Sequence, residues 1–266
     1  MNEIKISKIS YACATHIGNI REENQDNFYI DGKTASGENE TIAGVLESEK
    51  SIVAVCDGMG GEANGKLAAK LTADNVAQID EKSKADESAD MGEFILKQIN
   101  LANDEVYQMA LKAGESGGST INIAFIDGKT LTSYNLGDSR TYICTNKELK
   151  QLSRDHTTVA DMVRMKFLTE EEAKNHPRRN QLNQFVGVST KRFKLEPHIS
   201  DPIELLDGDM ILICSDGLTD MCEKPEIIAI MSSGKELKEI ADDLVQNALD
   251  NGGHDNITVM LLKAQV

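Results

Sequence analysis

The stretch that decides how this chain is read is Val53 to Lys66, VAVCDGMGGEANGK, where an apolar run ends in Asp57 and a glycine-rich turn leads into helix-forming residues. Three chemistries compete for it. Gly58-x-Gly60-x-x-Ala63 has the spacing of a dinucleotide fingerprint, and Gly60-x-x-x-x-Gly65-Lys66 has most of a phosphate-binding P-loop. Asp57-Gly58 at a strand end suits a metal-ligand loop. The P-loop requires a hydroxyl after its lysine to hold magnesium, but residue 67 is Leu, and Glu62 would sit inside the phosphate cradle. The dinucleotide reading needs a second buried strand about 20 residues on. The chain offers the polar segment Asp80 to Asp90 there, and Asp57 would stand beside the pyrophosphate.

The metal reading gains from recurrence. Ile211 to Cys214 leads into Ser215-Asp216-Gly217 as Ile52 to Cys56 leads into Asp57-Gly58, and Asp255-Asn256 directly precedes another apolar run. A strand end holds a carboxylate rigidly, and a following glycine lets the backbone carbonyl turn toward the same ion. Hard divalent cations such as magnesium or manganese take oxygen ligands of this kind. One Asp-Gly is as readily a plain turn. Three such aspartates beside apolar runs, followed by Gly or Asn and with Asp26 and Asp138 similarly placed, favour a metal site.

Outward from that stretch, Ile4 to Ala14 alternates apolar and polar residues as a strand does, and Asp31 to Lys50 reads as a loop or exposed hairpin. Helical spacing runs over Glu62 to Ile79, with Ala63, Leu67 and Leu71, and more strongly over Met91 to Ala113, with Phe94, Ile95, Ala102, Val106 and Met109. Asp80 to Asp90 reads as a surface linker. Strands at Thr120 to Ile126, Thr130 to Tyr134, Thr141 to Thr145 and Glu148 to Leu152 are separated by turn signals and read as an antiparallel meander. Short helical pieces are expected within the polar region Thr157 to Thr190. A strand follows at Met210 to Cys214, then helices at Pro225 to Met231 and Glu236 to Leu249, and a closing strand at Ile257 to Leu262. Strands then helices, twice over, predict an α+β sandwich.

Composition narrows the function classes. The 266 residues carry a formal charge of −16, a sign that repels nucleic acid and anionic membrane. No run approaches the roughly 20 apolar residues of a membrane span, and the first ten residues do not read as a signal peptide. The five cysteines are odd in number and contain no CxxC pair, which suits reduced, buried thiols in the cytoplasm. None has an Arg six residues later, so a cysteine-nucleophile phosphatase loop is excluded.

Seven segments in order make the chain resemble the metal-dependent serine/threonine protein phosphatases of type 2C, in their bacterial form. They are Arg21-x-x-Asn24-Gln25-Asp26-x-Phe28, Asp57-Gly58-Met59-Gly60-Gly61, Gly118-Ser119-Thr120, Gly137-Asp138-Ser139-Arg140, Asp155-His156, Ser215-Asp216-Gly217-Leu218 and Gly252-x-x-Asp255-Asn256-Ile257-Thr258. The resemblance implies one catalytic domain over residues 1–266, a four-layer α-β-β-α sandwich of two antiparallel sheets flanked by helices. It implies a flap-like segment at about residues 157–190. Its reaction is hydrolysis of phosphoserine or phosphothreonine by a water bridging two divalent ions, Mn2+ or Mg2+. By the family pattern Asp57 bridges both ions, the Gly58 carbonyl binds one, and Asp216 and Asp255 complete the second ion's ligand set. Asp138 and Asp216 would hold a third, weaker ion, Asp26 would hydrogen-bond the attacking water, and Arg21 would clamp the substrate phosphate. The implied partners are phosphorylated proteins, a serine/threonine kinase and its substrates among them.

The chemistry is self-consistent, since two ions roughly 3.5–4 Å apart make a bridging water a nucleophile near neutral pH. Departures are local. Met59 stands where many eukaryotic relatives carry a histidine proposed as general acid; His156 and His176 are candidates only by residue type. Gln25 replaces a glutamate, and Asn183-Gln184-Phe185 replaces the flap's usual Thr-Arg-Ala. Arg178-Arg179 suits either acidic phosphopeptides or plain solvent. The alternative function is a catalytically weak, phosphatase-like binding module; an intact set of Arg21, Asp57, Asp216 and Asp255 favours the enzyme.

Overall fold

The computed structural model describes residues 8–46, 48–85 and 90–265, with the side chains of residues 62 and 63 left aside. Residues 4–7 of the expected first strand and 86–89 of the expected linker lie outside the described residues. The chain opens with β1 (Lys8–His16), β2 (Asn27–Ile30), β3 (Lys33–Thr34), β4 (Glu40–Leu46), β5 (Lys50–Cys56) and β6 (Gly58–Gly60), followed by helices α1 (Glu62–Ala85) and α2 (Met91–Ala113). Next come β7 (Gly117–Ser119), β8 (Ile121–Asp127), β9 (Thr130–Leu136), β10 (Arg140–Thr145), β11 (Glu148–Gln151), α3 (Thr158–Arg164) and α4 (Glu170–Lys174). The last part holds β12 (His198–Ile199), β13 (Ile203–Glu204), β14 (Met210–Cys214), α5 (Asp216–Thr219), α6 (Lys224–Met231), α7 (Leu237–Asp250) and β15 (Ile257–Gln265).

One sheet has the order β11-β10-β14-β15-β1-β4; the other runs β12-β9-β8-β5-β2-β3 with β13 also on β9. Every pairing among the described strands is antiparallel. The period of two along each strand sorts its side chains between two cores. In β5, Val53 and Val55 face the other sheet and share a core with Tyr11, Ile213 and Met260, whereas Ile52, Ala54 and Cys56 face α1 and α2. In β14, Ile211 and Ile213 point inward while Leu212 and Cys214 join Leu218, Ile227 and Leu244. Three buried clusters therefore separate four layers, α-β-β-α, as expected. These strands read as unbroken apolar runs because both of their faces are covered.

Three local expectations give way. The meander is split: β8 pairs β9 in one sheet and β10 pairs β11 in the other, with residues 137–139 crossing between them. Gly137 takes φ 114° there and lies against Thr120, where a side chain would collide. The segment Asp31 to Lys50, read as a loop or exposed hairpin, contains β3, which closes a hairpin with β2, and β4, an edge strand on β1 from Ile9↔Leu46 to Thr15↔Glu40. Its side chains are mostly half-exposed, so its sequence lacks a strong alternation. The linker at Asp80 is helical as far as Ala85, because Asp80 is buried and accepts hydrogen bonds from Tyr29 Oη and Lys84 Nζ, both at 2.8 Å.

Candidate active site

Strand register brings the chemistry to one end of the sandwich. Asn27 pairs with Cys56, which sets Asp26 beside Asp57 at the end of the α1-side sheet. In the other sheet His16 pairs with Ile257 and Cys214 with Val259, so the Arg21 loop, Asp255 and Asp216 emerge together. Asp138 sits on the crossover between β9 and β10, at the same end.

Asp57 is clamped through its backbone. Its N donates to Thr120 Oγ1 at 2.9 Å and its carbonyl accepts from Thr120 N at 2.8 Å. Thr120 Oγ1 in turn lies 2.7 Å from Ser139 Oγ, tying this strand end to the residue after Asp138. Gly58 has no room for a side chain, because a Cβ would stand 2.3 Å from Gly65 O and 2.5 Å from Gln25 O. Gly217 is tighter still, since a Cβ there would stand 2.0 Å from Asn256 O. Asn256 fastens the opposite loop: Oδ1 accepts from Gln25 N at 2.8 Å and Nδ2 donates to Ile17 O and Glu23 O. Lys66, the lysine of the rejected P-loop, bonds Glu38, which also accepts from Asn24 N.

The electrostatics are those of a site built for cations. Burial first, then Asp26, Asp216, Asp138 and Asp255, hold the Asp57 carboxyl well above its ordinary range. Asp216 is raised likewise by burial and by Asp138, Asp220, Asp255 and Asp26. Asp138 is pushed up to about 7 by burial and Asp155, with Arg140 opposing. Asp26 also reaches about 7 through burial, with the Thr258 and Ser215 hydroxyls pulling it back. Ser215 Oγ donates to Asp26 Oδ2 at 2.7 Å, while the buried Oδ1 has no hydrogen-bond partner among the described residues. Arg21 is the compensating cation, its Nη2 2.6 Å from Asp255 Oδ2.

Among the described residues, no group of three or more His, Cys, Asp or Glu side chains is gathered closely enough to hold a metal ion as it stands. The carboxylates instead confront one another by repulsion across the cleft. That suits hard ions that keep several waters and take only one or two carboxylates each. An all-oxygen donor set, an unpartnered buried carboxylate oxygen and mutual repulsion together fit divalent cations.

All the expected site residues lie at this end, and the two candidate histidines each accept a backbone hydrogen bond at Nδ1. His156 is buried, its N donating to Gly137 O at 3.0 Å and its Nδ1 accepting from Gly137 N at 3.2 Å; burial lowers it to about 4. His176 Nδ1 accepts from Arg178 N within its own loop. Met59 is half-buried in the β6–β7 ladder. Sequence reasoning missed the supporting roles of Thr120, Ser215 and Asn256, although each lies inside a recognised motif. Asp220, close enough to act on both Asp138 and Asp216, had no motif to flag it.

The segment after β11 forms one wall of a cleft of about 770 Å3 that opens on Asp138 and Asp216. Its far wall comes from residues 219–227. Lys174 Nζ bonds Glu223 at 3.0 Å, and Arg179 lies 3.7 Å from Asp220. Residues after it are anchored elsewhere: Val186 pairs with Ser119, Gly187 N and Val188 N donate to Asn103 Oδ1, and Phe185 covers Gly118.

Comparison with known proteins agrees with this geometry. The profile of the protein phosphatase 2C family matches residues 15–161. The serine/threonine phosphatase stp of Listeria welshimeri is 32% identical over 254 residues, covering 94% of this chain and 93% of that protein. The serine/threonine phosphatase structure from S. agalactiae superposes with a TM-score of 0.81 at 28% identity, over 97% of this chain and 100% of that one. The catalytic domain of the serine threonine protein phosphatase PstP, solved with two manganese ions, gives 0.79 at 26% identity over 97% of this chain and 99% of its own. On sequence, fold and similarity along nearly its whole length, the chain belongs to the protein phosphatase 2C family.

Proposed function

We propose that the chain hydrolyses phosphoserine and phosphothreonine in proteins with water as nucleophile, using Mn2+ or Mg2+ held between the two sheets. The observation that carries this reading is the meeting of Asp57, Asp216 and Asp255 from both sheets at one strand end, beside an unpartnered Asp26 oxygen and a guanidinium. Asp57, with the Gly58 carbonyl, Asp216 and Asp255 would hold two core ions, and Asp138 with Asp216 a third, weaker one. When bound, such a pair lowers the pKa of a shared water and offsets charge on the phosphoryl group.

This chain's own residues do the rest. Asp26 has one oxygen fixed by Ser215, leaving Oδ1 to accept a hydrogen bond from the attacking water and orient it. Arg21 is exposed and paired to Asp255; with that carboxylate committed to a cation, its planar guanidinium would be left to engage phosphate oxygens. No cysteine nucleophile is needed, and all five thiols are buried and free. Met59 cannot donate a proton and His156 is turned to Gly137, so leaving-group protonation falls to solvent.

Residues 1–266 act in this reading as one catalytic unit, with the flap-like segment at about 157–190 beside the cleft. Partners are phosphorylated proteins, including a kinase and its substrates, and reduced buried thiols suit the cytoplasm. Manganese-dependent hydrolysis of a phosphothreonine peptide, with a chelator control, tests the proposal. Turnover should appear with manganese and vanish in excess chelator; undiminished turnover in chelator overturns it.

A further inference from the structure

The cleft beside Asp138 and Asp216 is charged unlike the rest of the molecule. In the whole chain 44 acidic side chains outnumber 28 basic ones. Here Arg140, Arg154, Arg164, Lys174, Arg179 and Lys224 face six carboxylates, two of which, Asp138 and Asp216, belong to the cation site. With those two engaged by cations, the remaining lining is net positive.

Four of the six cations already have partners. Arg140 grips Asp155 through Nε and Nη2, Arg164 bonds Asp161 and the Asp155 carbonyl, Lys174 pairs with Glu223, and Arg179 with Asp220. Arg154 is fixed through its backbone alone, its carbonyl accepting from Asn135 Nδ2 and its N donating to Asn135 Oδ1, both within 2.9 Å. Its guanidinium has no hydrogen-bond or ion-pair partner among the described residues. Neither has the ammonium of Lys224, the first residue of α6. Two exposed, uncompensated cations from different elements thus line one cleft that ends at the carboxylates where the phosphate would be cleaved.

We propose that this cleft is a subsite for an anionic flank of the substrate, a carboxylate side chain or a second phosphate held by Arg154 and Lys224. The proposal rests on the phosphatase reading and adds a substrate class to it: acidic or multiply phosphorylated segments. The chain's −16 charge repels such segments elsewhere, so the cleft supplies local attraction on an otherwise unfavourable surface.

The test uses the full chain with saturating manganese and three phosphothreonine peptides, flanked by alanines, by glutamates, or by alanines with a second phosphothreonine two residues away. The glutamate peptide should exceed the alanine peptide in kcat/KM by about three- to fivefold, the scale of exposed ion pairs. The doubly phosphorylated peptide should gain more, from its greater charge. Both ratios should shrink in 0.5 M salt, where screening reaches about 4 Å. Combining Arg154→Ala with Lys224→Ala should bring both ratios to about one, Arg154→Lys should retain most of the preference, and Lys112→Ala on α2 should leave the ratios alone. A gain confined to the second phosphate would assign the subsite to phosphate rather than carboxylate. Equal turnover of all three peptides, or a preference that survives the double variant, overturns the subsite while leaving the phosphatase reading standing. Absence of turnover of any peptide overturns both.

Discussion

The two Asp-Gly turns that end β5 and β14 have nearly the same local sequence and opposite surroundings. At Asp57 the backbone is clamped on both sides by Thr120 and passes into a short ladder with residues 117–119. At Asp216 the chain passes at once into α5, and the carboxylate faces Asp138, Asp220 and the open cleft. One turn is held through its backbone on both sides, and the other opens on the cleft. An Asp-Gly at a strand end is therefore not self-sufficient; what packs behind it decides what its carboxylate faces.

Asp57→Asn and Asp216→Asn should each lower turnover by about 10³-fold or more, above the 10²–10³ that one preorganised electrostatic group is worth. Both should raise the melting temperature of the chelated protein, since each removes a charge that burial and its neighbours disfavour. A fall in melting temperature would show that the carboxylates are already compensated without cations.

Asp138→Ala removes a carboxylate that lines the cleft beside Asp216 and leaves the clamp on Asp57 by Thr120 in place. Turnover should drop by about 10–10²-fold while calorimetry still counts two tight manganese sites. Loss of both tight sites would transfer Asp138 to the core pair.

Much of this was legible in sequence, for a physical reason. Apolar strands buried on both faces and Asp-Gly turns are local patterns, so β5, β14, β15 and the carboxylates could be placed before any contact was known. Helix α2 matched its periodicity from Met91 to Ala113, closed by a glycine with φ 72°. Distant partners were not legible. Nothing in the turn Gly137-Asp138-Ser139 says that it crosses between sheets, and nothing in Asp80 announces Tyr29. Thr120, Ser215 and Asn256 act through neighbours 19 to 239 residues away, so their motifs marked them without disclosing their work.

Acid offers a subtler contrast, read as stability with chelator present. Asp26 and Asp138 titrate near 7 in the folded protein and about 3.9 when unfolded. The folded state binds more protons across that window, so their contribution to stability grows as pH falls from 7 toward 4. His156 acts oppositely: its folded value of about 4 lies below 6.5, so its contribution is lost as pH falls between those values. His156→Asn should therefore steepen the acid stabilisation of the chelated protein, measured by thermal melts from pH 7.5 to 4.5. An unchanged slope would mean that His156 is protonated in the fold.

Met59→His should improve turnover of a phosphothreonine peptide more than that of an aryl phosphate, by no more than about 10²-fold. Equal gains on both substrates would point to packing rather than to a supplied proton.

The carboxylates at the strand ends repel one another, and the cations that relieve this repulsion should be the same ones that switch on hydrolysis. Titrating manganese into chelator-treated protein, with melting temperature and phosphothreonine-peptide turnover recorded on the same samples, tests it most directly. Binding to the folded state alone raises stability by mass action, so both signals should rise together over one concentration range. A melting temperature that stays flat while activity appears, or full activity before manganese is added, would contradict the account.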